Sequence, residues 1–153
     1  MQKRLMQQGR ERHRRMALIA LLFFGSVSAS AAQNEACPRE QAVKAESEAS
    51  TLETWQAVFI SYKKYKQCDD GAIAEGYSSS VATLLADHWE DVGQLIKLNH
   101  ENPGFGRFVL RHVDETMNLD QAAIIQKNIA QKCPKGAKEL CADIHRQFVS
   151  EGI

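Results

Sequence analysis

Four cysteines, Cys37, Cys68, Cys133 and Cys141, stand downstream of a segment laid out like a secretory signal peptide, and together they constrain the fold more than any other feature. The chain opens on Lys3, Arg4, Arg10, Arg12, Arg14 and Arg15, runs through the apolar stretch Met16 to Phe24, and reaches Ser28-Ala29-Ser30-Ala31. Small residues at Ala29 and Ala31 suit a signal peptidase, so 1–31 reads as a signal peptide cleaved after Ala31. The apolar stretch falls short of the roughly 20 residues that a membrane span needs. A lipoprotein would need a cysteine directly behind it, where Gln33-Asn34-Glu35 intervenes. The expected address is the periplasm or the exterior, where an even cysteine count reads as two disulfides. No Cys-x-x-Cys occurs, and the spacings fit no zinc knuckle.

Removing the leader changes the charge. The full chain balances 19 Lys+Arg against 19 Asp+Glu; without residues 1–31 it keeps 13 and 18, a net charge of −5. A mildly acidic domain repels phosphate, which argues against nucleic acid as a partner and favours a basic one. The length remaining is that of one domain with a single core.

Helical periodicity dominates and strand-like alternation is nearly missing. The expected organisation is an N-terminal extension over 32–49 and a helical domain over 50–153. A first helix is expected from Ser50, in capping-box spacing with Glu53, placing Leu52, Trp55, Val58, Phe59, Tyr62 and Tyr65 on one face. The turn Cys68-Asp69-Asp70-Gly71 leads into a second helix, both aspartates being read as helix-capping residues. Its stripe of Ile73, Tyr77, Val81, Leu84, Leu85, His88, Trp89 and Val92 should bend or end at Gly93, before a short helix carrying Leu95, Ile96 and Leu98. Pro103-Gly104 opens a helix bearing Phe105, Phe108, Val109, His112 and Val113 and ending near Thr116. Asn118 or Asp120 starts the next, with Ala122, Ile124, Ile125 and Ile129 on its apolar side; a last helix carries Leu140, Cys141, Ile144 and Phe148. The fold class is therefore all-α, a compact bundle of five or six helices with two disulfides.

Helix length bears on the cysteine pairing. An unbroken helix from Gln41 to Gln67 would be roughly 40 Å long and would hold Cys37 and Cys68 apart. A break near Ser50 lets the preceding segment fold back. Cys133 and Cys141 flank one tight turn, so the expected pairing is Cys37–Cys68 with Cys133–Cys141, the other two connectivities remaining open.

Few residues offer chemistry. His112 and Glu115, three apart, could point an imidazole and a carboxylate at one ion or proton; the ordinary reading is a half-buried core histidine beside an exposed Arg111–Glu115 ion pair. Asp87, His88, Glu90 and Asp91 around Trp89 lack enough further ligands for zinc and read as a solvated acidic turn. Ser78-Ser79-Ser80 has no nucleophile elbow and Asn102-Pro103-Gly104-Phe105-Gly106 no phosphate-loop lysine; both read as helix surface or helix start. No cofactor and no metal is expected. The best candidate binding surface is Tyr62, Lys63, Lys64, Tyr65 and Lys66 with Asp69 and Asp70, tyrosines and charges of both signs at one end of a helix pair.

The stretch from Tyr65 to Ser78, Leu84-Leu85-Ala86-Asp87-His88-Trp89, Phe108-Val109-Leu110-Arg111-His112, and Cys133-Pro134 with Leu140-Cys141 resemble a pattern in small uncharacterised exported proteins of Gram-negative bacteria. In plan the chain is also similar to periplasmic immunity proteins that neutralise type VI secretion effectors. The resemblance implies a helical exported domain and no particular activity. The expected function is an exported, non-catalytic protein-binding domain, such as an inhibitor or immunity protein against a secreted toxin, with another protein as partner. The alternative is a small cell-envelope hydrolase using His112 and Glu115, with Asp87 or Asp91 completing the site.

Overall fold

The computed structural model describes residues 36–153; the expected signal peptide and its cleavage site lie outside the described residues. Among the described residues there are seven α-helices and no strand: α1 (Arg39–Ala49), α2 (Trp55–Tyr65), α3 (Gly71–Asp87), α4 (Val92–Glu101), α5 (Pro103–Arg111), α6 (Leu119–Lys132) and α7 (Lys138–Glu151). None of these is long and apolar enough to cross a membrane. Cys37–Cys68 and Cys133–Cys141 are the disulfides, with Cα separations of 4.8 and 6.4 Å.

The segment expected to be an extension is part of the bundle. Ala45 and Ala49 of α1 are fully buried against α3, and Gly76 of α3 makes the approach possible, since a Cβ there would sit 2.9 Å from the Ala49 Cβ. The chain then leaves the helix because Ser80 draws it out: its hydroxyl donates to the Ala49 carbonyl (2.7 Å) and accepts from the Leu52 N–H (3.1 Å). Ser50 therefore follows α1, and the cap of α2 is Thr54, whose Oγ1 accepts from the Ala57 N–H at 3.1 Å. This break brings Cys37 back to Cys68.

Elsewhere the caps account for the boundaries. Asp70 accepts from Gly71 N–H at the start of α3, Asn102 from Gly104 with Pro103 in the first turn of α5, and Asn118 from Asp120 at α6. The bend after α3 comes at His88, ahead of Gly93, which lies inside α4. Trp89 sets it: its indole N–H donates to the Lys132 carbonyl at 3.0 Å, anchoring the turn to the end of α6. Helix α7 closes on Gly152, whose positive φ of 71° lets the Ile153 N–H return to the Phe148 carbonyl.

The core runs from α1 through α3 to α5, α6 and α7. Trp55, Phe59, Val81, Leu85, Trp89, Phe108, Val109 and Ile125 are buried as expected, Ile129 is half-buried, and Ile124 faces outward. Buried Asn128 sits where the apolar stripe of α6 would call for a hydrophobe; its amide donates to the Leu85 and Ala86 carbonyls at the end of α3.

Candidate functional site

Between α2 and α5 the aromatic residues form a continuous seam. Phe59 meets Phe105 at 5.0 Å between ring centroids, Tyr62 meets Phe105 at 5.5 Å and Phe108 at 4.9 Å, and Phe108 meets Tyr77 at 5.0 Å. This order places α2 and α5 side by side and parallel, and leads the chain after α2 to the end of α5. There a polar cluster closes the seam.

His112 is the first residue beyond α5, and only 3% of it is exposed. Its ring packs edge-on to Phe108 at 4.5 Å. Ser78, equally buried on α3, lies 3.1 Å from Nδ1 and donates its hydroxyl proton to Asp114 Oδ2 at 2.7 Å. On the other side Nε2 faces Asp69 Oδ1 at 3.2 Å. The approach is off-line, and neither atom has a hydrogen-bond partner among the described residues. Arg111 completes the group, its Nη2 donating to Asp69 Oδ2 at 3.0 Å from a largely exposed position.

Burial pushes the Asp69 carboxyl up, but His112 and Arg111 outweigh it and hold the group below the usual carboxylate range. Asp114 behaves alike: burial raises it, while hydrogen bonds from Thr116 and Ser78 bring it below its ordinary value. Burial drives the Tyr77 phenol upward, although Ser61 shares a 2.8 Å hydrogen bond with it.

A serine, a histidine and an aspartate in contact invite comparison with a hydrolytic triad, but the wiring differs. In that mechanism the hydroxyl donates to the imidazole and its oxygen faces substrate; here the hydroxyl proton goes to Asp114 and the oxygen is enclosed. This is an interior lock joining the α2–α3 turn, α3 and the segment after α5.

The expected site residues are redistributed accordingly. The pairing of His112 with Glu115 fails because α5 ends at Arg111, so no helical spacing relates the two; Glu115 instead faces Glu151, whose carboxyl it raises by sharing a hydrogen bond. Arg111 pairs with Asp69, in place of Glu115. Within the candidate binding surface, Tyr62 and Tyr65 turn into the core, and Asp69 turns inward, leaving capping to Asp70 alone. Lys63, Lys64, Lys66 and Asp70 remain exposed, Lys63 over the Phe59 ring at 4.9 Å. Across the seam, the Arg107 guanidinium and the Tyr62 hydroxyl both approach Gly104. The rim is thus mainly basic.

His88, Glu90 and Asp91 gather potential ligand atoms within 4.8 Å of one another, all exposed, without Asp87. Ser78 and Ser80, read from sequence as helix surface, are both buried and structural. Their spacing from Val81, Leu84 and Leu85 is the signal that places them on the inner face. No family model, curated protein or solved structure matches the chain.

Proposed function

We propose that this chain, once exported, is a non-catalytic protein-binding domain, an inhibitor or immunity protein of a secreted toxin, and that Lys63, Lys64 and Lys66 with neighbouring Arg107 form its contact rim. The observation that supports the reading is a division of labour at one end of the molecule. His112, Ser78 and Asp69, the side chains best suited to chemistry, are enclosed and committed to one another. The four cations outside make no ion pair with a described residue, and two of them, Lys63 and Arg107, border the aromatic seam. Two disulfides fit an oxidising, extracytoplasmic setting and the rigidity of a stoichiometric partner.

Although the mature chain is acidic overall, this rim is locally basic, so the partner surface it fits is acidic and association is electrostatically steered. A hydrolase using His112 as base would need substrate to reach a ring that is 3% exposed. The test is co-purification of the native protein from the cell envelope, comparing wild type, Lys63→Glu/Lys64→Glu/Lys66→Glu, and the distant control Lys127→Glu/Lys135→Glu. One protein retained by wild type and control but lost from the rim variant is the expected result, with the largest difference at low salt. Peptidoglycan or ester hydrolysis abolished by His112→Ala in a folded protein would replace this reading with the enzymatic one.

A further inference from the structure

We infer that the first turn of α5 forms a carboxylate-binding notch, in which the Tyr62 hydroxyl and the Arg107 guanidinium donate to one carboxylate of an acidic protein partner. The notch lies within the rim proposed above as the contact surface, and naming its ligand rests on that reading. Tyr62 carries an unused donor. The residue is only 9% exposed, its ring packed on Phe105 and Phe108 at 5.5 and 4.9 Å between centroids. For this packing alone a phenylalanine would serve, as it does at Phe59, Phe105 and Phe108. A hydroxyl on so buried a ring ordinarily finds a partner, and Tyr77, deeper in the seam, shares its own with Ser61 at 2.8 Å. The Tyr62 hydroxyl makes no hydrogen bond to a described residue and is not sealed from solvent. It points at the start of α5, 2.7 Å from where a Cβ on Gly104 would lie, so that a methyl group there would push it out.

Arg107 supplies the charge. Its Nη2 lies 3.8 Å from the same Cβ position, so guanidinium and hydroxyl stand no farther apart than the two distances joined, about 6.5 Å. A carboxylate accepting at about 2.8 Å on each oxygen spans such a gap. Arg107 is exposed and pairs with no carboxylate among the described residues. The backbone of the turn is not the donor set: Gly104 and Phe105 give their N–H groups to Asn102, to Oδ1 at 3.0 Å and to the carbonyl at 2.8 Å. Helix α5 adds only the positive end of its dipole. One guanidinium and one neutral hydroxyl balance a single negative charge, that of a carboxylate, whereas a phosphate near its second ionisation would need a further cation in the notch.

Nitrogen-15 NMR titration of the disulfide-intact protein with sodium acetate, against sodium chloride at equal ionic strength, tests the notch without the partner. Acetate should give saturating shifts at the Gly104, Phe105 and Arg107 amides that chloride does not. Tyr62→Phe, which keeps the ring and removes only the hydroxyl, should weaken this binding about tenfold, and Arg107→Gln at least as much. No saturating shift at the start of α5, or undiminished binding by Tyr62→Phe, overturns the inference; tighter binding of inorganic phosphate than of acetate overturns the carboxylate assignment. Co-purification separates the notch from the reading it rests on. A protein lost from Tyr62→Phe as well as from the triple lysine variant supports both. A protein lost from the lysine variant alone keeps the rim and overturns the notch, and acetate binding with no protein retained by the wild type keeps the notch and overturns the rim.

Discussion

At the residue scale, Asp69 shows how a buried carboxylate can be required without being catalytic. Asp69→Ala removes the carboxylate that faces the enclosed His112 ring and accepts from Arg111, a loss of about 1–3 kcal/mol by urea denaturation, towards the low end because exposed Arg111 can turn to solvent. The same groups set an acid limit. Asp69 and Asp114 both have folded values lowered below the unfolded value of about 3.9, so their contribution is fully present above that pH and is lost as pH falls through the folded values. Unfolding midpoints should drop steeply below about pH 4, and the drop should flatten in Asp114→Asn. An equally steep fall in that variant would assign the acid sensitivity to other carboxylates.

At the scale of elements, α3 is the hub, and two of its residues carry separable contacts. Leu85→Ala opens a cavity in the centre of the core and should cost about 2–5 kcal/mol. Ser80→Ala strands the Ala49 carbonyl and Leu52 N–H, a cost of about 1–3 kcal/mol that should appear as faster amide exchange across the α1–α2 turn. Unchanged exchange there would mean that Ser80 does not hold the break between α1 and α2. This break is also where reading the sequence falls short. Stripes of apolar residues at helical spacing make α3, α5 and α7 legible, and the caps Asp70 and Asn118 are visible as residue types before such stripes. Helix α1 buries only Ala45 and Ala49 and leaves Val43 exposed, so its buried face carries little hydrophobic signal, and the residue that ends it stands 31 positions further along. The interior lock is hidden for a related reason. Asp69, Ser78 and His112 each have a good local role as cap, helix surface or core residue, and only the parallel packing of α2 and α5 brings them together.

At the scale of the whole molecule, the two disulfides divide unequally in what they constrain. Cys133–Cys141 spans a separation of 8 residues around one interhelical turn, whereas Cys37–Cys68 spans 31, ties the start of α1 to the end of α2, and leads directly into Asp69. Chain entropy alone ranks them: closing loops of those lengths in the unfolded state is worth about 2.5 and about 3.7 kcal/mol respectively. The longer bridge should matter beyond that difference, because its loss frees α1 to leave α3 and loosens the turn that presents Asp69 to His112. Denaturation of Cys37→Ser/Cys68→Ser and Cys133→Ser/Cys141→Ser should therefore show the larger loss for the first pair, with faster amide exchange reaching α1 and the Asp69 turn. In the second pair the disturbance should stay within the α6–α7 turn and the Trp89 contact to Lys132 that leans on it. Equal losses in the two double variants, or exchange unaltered around Asp69 in the first, would mean that α1 and the lock are held by packing alone.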